Sequence, residues 1–290
     1  MTEFVRADRK KFAIYHAAYA DSDIFCRFDW NERTEDLSSD RDGYFICRDE
    51  RLIGGFALSG NKLSDPFMAA PFCDRKDFWN ASLQYAAQVS GQREITLVQI
   101  PECDAHELAQ SFGAVLQWSQ RRMLRPTDRC RPALASGFHF DRLAAKDMPE
   151  IIQAVYQAHS AGHTSTVWEP DMAEIQRAID RRFHAFSQTN TLYMGNIVRR
   201  DENREIAGVC VAGIYPDSPN NFATIHQVSV SPEYRRKGIA KAMMLKSIHD
   251  AHPTSPVITL GVLIGNPAEI LYRDIGFKPG PGYSELIWPG

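Results

Sequence analysis

The hydrophobic pattern of the chain changes its period once between residues 222 and 251. Val228 and Val230 alternate with serine, as residues do in a half-buried strand. Pro232 ends the strand pattern, because proline cannot donate to a strand ladder. The apolar residues that follow recur at helical spacing; they are Ile239, Ala242, Met243, Leu245 and Ile248. The pattern therefore predicts a strand, a short loop and a helix in direct succession.

The same patterns predict further elements on both sides of this segment. The preceding residues predict helices near 151–156 and 171–186, and strands over 192–198, 206–214 and 222–230. The following residues predict a strand over 257–262 and a short helix over 266–276. Pro267 stands in the first turn of that helix and Gly276 at its end. The order strand, helix, strand, helix predicts a right-handed crossover between parallel strands.

The N-terminal half carries a fainter copy of this order. Its pattern predicts a hairpin over 44–47 and 52–58, a helix over 78–85, a strand over 95–100 and a helix over 107–114. The stretch 126–137, which contains proline and arginine, predicts the linker between the halves. Two interpretations of the first half remain: a degenerate copy of the second half, or an unrelated α+β domain.

The loop before the predicted helix 239–248 suits an anion. Helix N-termini present free N–H groups and the positive end of the helix dipole, and Gly238 allows close approach of the backbone. The surrounding basic residues are Arg235, Arg236, Lys237 and Lys241. A Walker loop is excluded because no Gly-Lys-Ser/Thr follows, and a dinucleotide fingerprint is excluded because the turn has a single glycine.

Two segments resemble motifs of one family. Arg235-x-x-Gly238-x-Ala240, after a Val-x-Val strand and a proline, resembles the acetyl-CoA loop of the GNAT N-acetyltransferase superfamily. The segment 266–277, with its Leu-Tyr pair and closing Gly-Phe, resembles the later helix of the same family. One position departs from the family's pattern. Gly265 stands where the family has its asparagine, and Asn266 follows one position later.

The resemblance implies an α/β (α+β) chain with two GNAT-like domains, each a mixed central sheet flanked by helices. Residues 137–290 are then the acetyl-CoA-binding catalytic domain. Residues 1–130 are then a degenerate GNAT-like domain without the cofactor loop, because 71–76 has no glycine and lacks the Arg-x-x-Gly-x-Ala arrangement. We therefore expect a tandem-GNAT chain that binds one acetyl-CoA per molecule.

The resemblance also implies the cofactor contacts. The backbone at Val228 and Val230 is expected to pair with the pantetheine arm as one strand pairs with another. The N–H groups from Arg236 to Ala240 are expected to hold the pyrophosphate. The predicted cofactor-binding residues are Val228, Ser229, Val230, Arg235, Arg236, Lys237, Gly238, Ile239, Ala240, Lys241 and Asn266.

Two residues are candidates for proton transfer. The family places a tyrosine general acid at the position of Tyr272, whose phenol can donate to a leaving thiolate. The alternative is that its ring only packs between helix and sheet. Strict alternation puts His226 on the same strand face as Val228 and Val230. His226 is the candidate general base. The alternatives are a structural, hydrogen-bonded histidine and direct loss of the proton to solvent.

The loop 163–171 is the expected acceptor site. Trp168 beside Glu169 suits a cationic amine, because an aromatic face and a carboxylate both attract a cation. The alternative is that Glu169 and Asp171 cap the helix that follows.

Composition narrows the class of partner. The 290 residues are 44% hydrophobic and 24% charged, with a formal net charge of −3, which is typical of a globular protein and argues against general nucleic-acid binding. No apolar run is long enough to cross a bilayer, so no membrane contact is expected. The six cysteines form no Cys-x-x-Cys and the N-terminus has no signal peptide, which indicates a cytoplasmic protein. We expect no metal site, because His159 and His163 lack a third ligand nearby.

These observations predict an acetyl-CoA-dependent N-acetyltransferase whose acceptor is the primary amine of a small molecule. A peptide or protein amine is the second choice. A non-catalytic acyl-CoA-binding sensor or interaction module is the alternative from another class, since no strong general base stands out. The sequence carries no signal for the oligomeric state.

Overall fold

The computed structural model describes residues 2–20, 23–24, 27, 29–34, 41–69, 71, 73–161, 171–216, 218 and 221–290. The chain forms two compact units. The first comprises Met1–Arg122 together with Gly280–Gly290, and the second comprises Met123–Pro279. The division lies close to the expected linker. It differs from the expected ranges in that the C-terminal strand belongs to the first unit.

The described residues of the N-terminal half form ten elements in chain order. They are β1 (Thr2–Arg6), α1 (Arg9–Tyr19), α2 (Trp30–Thr34), β2 (Asp42–Arg48), β3 (Arg51–Ser59), β4 (Lys62–Met68), α3 (Arg75–Ser90), β5 (Ile95–Pro101), α4 (Glu102–Phe112) and β6 (Val115–Pro126). The last of these strands runs past the end of the first unit at Arg122.

The C-terminal half repeats the same order of strands and helices. Its elements are β7 (Phe138–Arg142), α5 (Met148–Ser160), α6 (Met172–Gln188), β8 (Asn196–Arg200), β9 (Ile206–Ile214), β10 (Ala223–Val230), α7 (Ile239–Ala251), β11 (Val257–Leu263), α8 (Ala268–Asp274) and β12 (Lys278–Trp288). Short 3-10 turns lie at Ala145–Asp147, Leu192–Met194 and Pro232–Tyr234. The repeat supports the interpretation of the first half as a copy of the second.

In the first unit, β1, β2, β3 and β4 pair in sequence as antiparallel neighbours, and β4 runs parallel to β5. The strand β12 pairs antiparallel with β5, from Tyr283 opposite Pro101 to Trp288 opposite Ile95. This pairing is the physical reason why the last residues group with the first unit. Helix α3 covers the sheet with buried Phe78, Trp79 and Leu83.

In the second unit, β7, β8, β9 and β10 pair as antiparallel neighbours, and β10 runs parallel to β11. All nine residues of β9 are buried, as expected for a strand covered on both faces. One core cluster contains Phe186 of α6 and Val209, and another contains Met243 of α7 and Cys210. Helices therefore flank both faces of this sheet. No helix within the described ranges is long and apolar enough to cross a membrane.

Candidate active site

The parallel strands β10 and β11 separate partway along their length. Their ladder consists of three residue pairs, which end at Ile225 opposite Leu260. Beyond that point β10 continues to Val230 without pairing to β11. Backbone polar groups without a ladder partner seek other partners. The edge from Val228 to Val230 can therefore accept an extended ligand as a further strand.

A β-bulge lies where the two strands separate. His226 is an extra residue in β10, because Ile225 faces Ala212 and Gln227 faces Val211 on β9. The prediction that His226 shares a face with the two valines is wrong, since a bulge resets the alternation of side chains. Val228 and Val230 pack against the cluster that contains α7, as Ile225 does.

His226 lies instead on the α6 side of the sheet. Its imidazole centroid is 5.2 Å from the Tyr215 ring and 6.3 Å from the Phe186 ring. Both rings belong to the cluster that α5 and α6 cover. The bulge therefore directs His226 to one face and the following valines to the other.

The loop from Ser231 to Gly238 arranges its backbone as the sequence predicted for an anion site. Arg236 has φ of 63° and Gly238 has φ of 75°, both in the left-handed region. Left-handed residues in such a turn direct neighbouring N–H groups to one side and form a concave anion site. Gly238 is the N-cap of α7, makes no side-chain capping bond, and precedes a first turn without an acidic residue. The positive end of the α7 dipole therefore lacks a protein counter-charge in its first turn.

Gly238 is required by its backbone conformation. A Cβ at this position meets no atom within 4 Å, so space alone would permit a side chain. The positive φ is what disfavours other residues. The open space above Gly238 leaves room for a ligand at the helix N-terminus.

The basic residues of the loop have different roles. Arg236, Lys237 and Lys241 are exposed. The ammonium of Lys237 lies over the rings of Tyr234 at 5.2 Å and Phe138 at 5.8 Å. The ammonium of Lys237 therefore packs against these rings, whereas Arg236 and Lys241 are exposed charges beside the helix N-terminus.

Arg235 has a structural role in addition to its place in the loop. Its guanidinium donates to the carbonyl oxygens of Ala158 at 2.6 Å and Ala161 at 3.0 Å, at the end of α5. It also donates to the carbonyl of Val230 at 3.3 Å. The side chain of Arg235 therefore fixes the loop to α5 and is not directed at a phosphate.

Tyr272 lies half-buried on α8, with its ring 6.4 Å from that of Phe277. Burial, and to a smaller extent the nearby Cys210, raises the pKa of the Tyr272 phenol to about 12. The phenol therefore keeps its proton at neutral pH. Gly276, with φ of 92°, ends the helix that carries it.

Cys210 is a buried thiol on β9, in register with Val228. Its sulfur lies 3.2 Å from the hydroxyl of Ser247. Burial raises the pKa of this thiol to about 12. Because the thiolate is the reactive form, Cys210 is inert as a nucleophile.

The other predicted site residues have local partners or lie outside the described residues. The side-chain oxygen of Asn266 accepts from the N–H of Ala268 at 2.9 Å and so caps α8. Asp171 caps α6 by accepting from the N–H of Ala173 at 3.0 Å. Trp168 and Glu169 lie outside the described residues.

The structure adds a polar contact that sequence reasoning missed. The amide of Gln227 donates to His159 Nε2 at 2.9 Å and contacts the Ser229 hydroxyl at 2.7 Å. Burial lowers the pKa of His159 even though Gln227 opposes this, so the imidazole is neutral at pH 7. His159 lies in the last turn of α5 and Gln227 lies on β10, and no local pattern predicts their contact.

Among its described residues, the first unit has no equivalent anion site. Asp74 is the N-cap of α3, and its carboxylate accepts from the N–H groups of Lys76 at 2.8 Å and Asp77 at 3.4 Å. These amides are the ones a phosphate would use, and Asp77 adds a negative charge to the same turn. The strands β4 and β5 do separate, because their pairing ends at Leu63 opposite Leu97. The described residues of the first unit therefore share the strand separation of the second unit but not its uncapped helix N-terminus.

The profile of the Acetyltransferase (GNAT) family matches residues 152–277, which span α5 to α8 and the loop described above. Residues 152–277 form a GNAT acetyltransferase domain. The general activity of this family, acyl transfer, is consistent with the site described above. Among curated proteins, none matches the chain significantly in sequence.

Solved structures extend the GNAT fold to the whole chain. A GCN5-related N-acetyltransferase from Sphaerobacter thermophilus superposes with a TM-score of 0.68 at 14% identity, covering 99% of this chain and 95% of that one. A tandem GNAT protein from the clavulanic acid biosynthesis pathway gives 0.56 at 12% identity, covering 99% and 98%. An acetyltransferase of the GNAT family from Colwellia psychrerythraea gives 0.51 at 10% identity, covering 99% of both chains. At these identities the likeness establishes the fold, which is that of a tandem GNAT protein.

Proposed function

We propose that the chain is an acetyl-CoA-dependent N-acetyltransferase that acts on the primary amine of a small molecule. The N-terminus of α7 carries this proposal. It has no side-chain cap and no acidic residue in its first turn, and it follows directly on the separated strand β10. A pyrophosphate and a pantetheine arm need these two features side by side.

The residues of the second unit fit such a ligand. The N–H groups from Arg236 to Ala240 hold the pyrophosphate, with Arg236 and Lys241 supplying exposed positive charge. The unpaired edge of β10 from Val228 to Val230 binds the pantetheine amides. The amide nitrogen of Asn266 makes no hydrogen bond to any described residue and remains a donor for the same ligand.

When bound, acetyl-CoA supplies the acetyl group as a reactive thioester. Tyr272 acts on the leaving sulfur as a hydrogen-bond donor. Its pKa of about 12 exceeds the roughly 8.5 of an ordinary thiol, so complete transfer of its proton is uphill by on the order of 5 kcal/mol. A hydrogen bond to a charged partner is worth roughly 1.5–3 kcal/mol without that transfer. Tyr272 therefore stabilises the developing thiolate mainly through its hydrogen bond.

The amine must lose a proton before or during attack. We assign this proton to His226, which the bulge directs toward α6 and Tyr215. The neutral imidazole of His159, held by Gln227, lies on an adjacent helix. His226 lies on the α6 side of the sheet, whereas Tyr272 packs with the cluster on the opposite face. In this proposal the acid and the base therefore act on different sides of the thioester.

The described cysteines are typical of a protein in a reducing compartment. Cys47, Cys73, Cys103, Cys130 and Cys210 are free thiols. We therefore propose that the enzyme works in the cytoplasm.

Release of free thiol from acetyl-CoA, measured against a panel of amines, tests the proposed activity. We expect turnover with at least one small-molecule primary amine, and loss of more than 90% of kcat in the double variant Tyr272→Phe, His226→Gln. Turnover with peptide N-termini or lysine side chains alone would reassign the acceptor to a protein. Tight CoA binding with no turnover on any amine would favour the acyl-CoA sensor instead.

A further inference from the structure

A pocket of about 260 Å³ lies on the α6 side of the second unit. Arg181, Arg182 and Tyr215 line it among the described residues. This volume is close to the lower end of the roughly 300–1,000 Å³ that small-molecule sites occupy. The pocket therefore has room for part of a small metabolite.

The two arginines place uncompensated positive charge at this pocket. Neither Arg181 nor Arg182 forms an ion pair with any described residue. Arg181 is exposed, and Arg182 is half-buried with one nitrogen bonded to the carbonyl of Ala178. Burial lowers the pKa of the Arg182 guanidinium; Tyr215 opposes this shift and Arg181 adds to it. Removing a cation from water beside another cation is unfavourable unless an anion compensates both.

Two other arginines of the second unit, Arg199 and Arg177, have the carboxylate partners that Arg181 and Arg182 lack. Arg199 contacts Asp141, Asp147 and Glu150 at 3.3, 3.0 and 2.8 Å. Arg177, one turn before Arg181 on α6, lies 3.9 Å from Asp171. What sets Arg181 and Arg182 apart is that two guanidinium groups without a described carboxylate partner line one pocket, where a ligand can supply the counter-charge.

The pocket adjoins the bulge of β10 through its aromatic wall. The Tyr215 ring meets the His226 imidazole edge to face at 5.2 Å and the Phe186 ring at 5.0 Å. An anion held by Arg182 and Tyr215 therefore lies next to the residue to which we assign the amine proton. The rest of such a ligand extends from the arginines toward His226.

We propose that this pocket binds the carboxylate of the acceptor, which makes the acceptor an amino acid or a similar amine that carries a carboxylate. The planar guanidinium of Arg182 matches a carboxylate with two parallel hydrogen bonds, and Arg181 adds long-range attraction. This inference rests on the proposed N-acetyltransferase function, since it names the acceptor of that reaction.

Matched pairs of amines test the proposal. Each pair consists of an amino acid and its decarboxylated counterpart, such as phenylalanine with phenethylamine and lysine with cadaverine. We expect kcat/KM for the best amino acid to exceed that of its partner at least 50-fold. Equal rates within a pair, or a preference for phosphoethanolamine over every carboxylate, would overturn the carboxylate assignment.

Variants locate the preference in the pocket. Arg182→Gln should raise KM for the amino acid 10- to 100-fold and leave the decarboxylated partner within two-fold. Arg181 is exposed, so Arg181→Gln should not disturb folding. This variant should raise the KM for the amino acid about three- to ten-fold. Arg177→Gln is the matched control on the same helix and should change neither. A loss that is equal for both members of a pair would contradict the proposal.

Direct binding separates this inference from the proposed activity. Calorimetric titration of the amino acid into protein saturated with CoA needs no turnover. Binding that Arg182→Gln weakens at least ten-fold upholds the pocket even if no acetyl transfer occurs. Turnover on uncharged amines that ignores both arginine variants upholds the activity and refutes the pocket.

Discussion

The guanidinium of Arg235 donates to the carbonyl oxygen of Ala158 at 2.6 Å, and so joins the loop 231–238 to the end of α5. The next residue, Arg236, is exposed and has φ of 63°. Two adjacent arginines in one motif therefore do different work. Arg235 holds the loop in place, and we propose that Arg236 supplies charge to the ligand.

Replacing each of these arginines by alanine should give opposite results. Arg235→Ala removes hydrogen bonds to Ala158, Ala161 and Val230 and should lower the free energy of unfolding by about 2 kcal/mol. Arg236→Ala should leave stability unchanged and raise the Kd for CoA about five-fold at low salt, with a smaller effect at 0.5 M salt. Thermal melting and titration at two salt concentrations measure both. A stable Arg235→Ala protein with weakened CoA binding would reverse the assignment.

Tyr272→Phe removes the phenol hydroxyl and keeps the ring that packs near Phe277. We expect kcat to fall about 10- to 100-fold, which corresponds to the loss of one hydrogen bond to a charged group. The Kd for CoA and the melting temperature should stay close to those of the parent protein. Phe277→Leu is a control that alters packing without removing a donor. An unchanged kcat in Tyr272→Phe would limit Tyr272 to a packing role.

Arg199 should matter for stability rather than for activity. Its side chain is 7% exposed and bonds to three carboxylates and to the carbonyl of Arg204. Arg199→Gln removes a buried guanidinium together with its charged hydrogen bonds to Asp141, Asp147 and Glu150, and should lower the free energy of unfolding by about 2 kcal/mol. Arg200→Gln, beside it in sequence and more exposed, should leave the free energy of unfolding close to that of the parent protein. Denaturant titration of both variants measures the difference, and similar losses would refute the account.

His159 should make the second unit less stable at mildly acidic pH. Burial lowers the pKa of His159 below the value of about 6.5 that it has in the unfolded chain. The folded state favours the neutral imidazole. The free energy of unfolding that depends on His159 is therefore fully present above pH 6.5 and falls as the pH drops below 6.5. Between pH 7.5 and 5.5, denaturant titration should show the free energy of unfolding of His159→Gln falling by a few tenths of a kcal/mol less than that of the parent protein, after allowance for partial exposure. An identical pH dependence in both proteins would contradict the prediction.

The sequence predicts the elements whose signals are local. The prediction of β9 over 206–214 agrees with the structure, and the helical period starts at Ile239 as α7 does. The strand β4 was not predicted because Asp65 and Pro66 interrupt it, and Asp65 has φ of 50°. Leu192–Met194 is a 3-10 turn although its residues favour a strand, so β8 begins at Asn196. Neither exception can be read from hydrophobic period alone.

Some features of the candidate site are also local in sequence, and others are not. The glycine and basic residues of the loop 231–238 are contiguous, so the sequence reveals them. The bulge at His226 depends on pairing with β9, and the contact of Gln227 with His159 joins residues far apart in the chain. In the sequence, Arg181 and Arg182 indicate only an exposed helix face. The pocket becomes visible when the fold places Tyr215 beside them. Tertiary pairing determines these features, and no local pattern encodes it.

The central claim is that the second unit alone holds acetyl-CoA, at the N-terminus of α7. Calorimetric titration with acetyl-CoA tests it most directly, with two glycine variants as a matched pair. Gly238 and Gly91 both have positive φ, and a Cβ at either meets nothing within 4 Å, so valine strains the backbone similarly at each. We predict one site per chain, weakened at least ten-fold by Gly238→Val and unaffected by Gly91→Val or by Asp74→Ala. Two sites per chain, or an unaltered affinity in Gly238→Val, would contradict the claim.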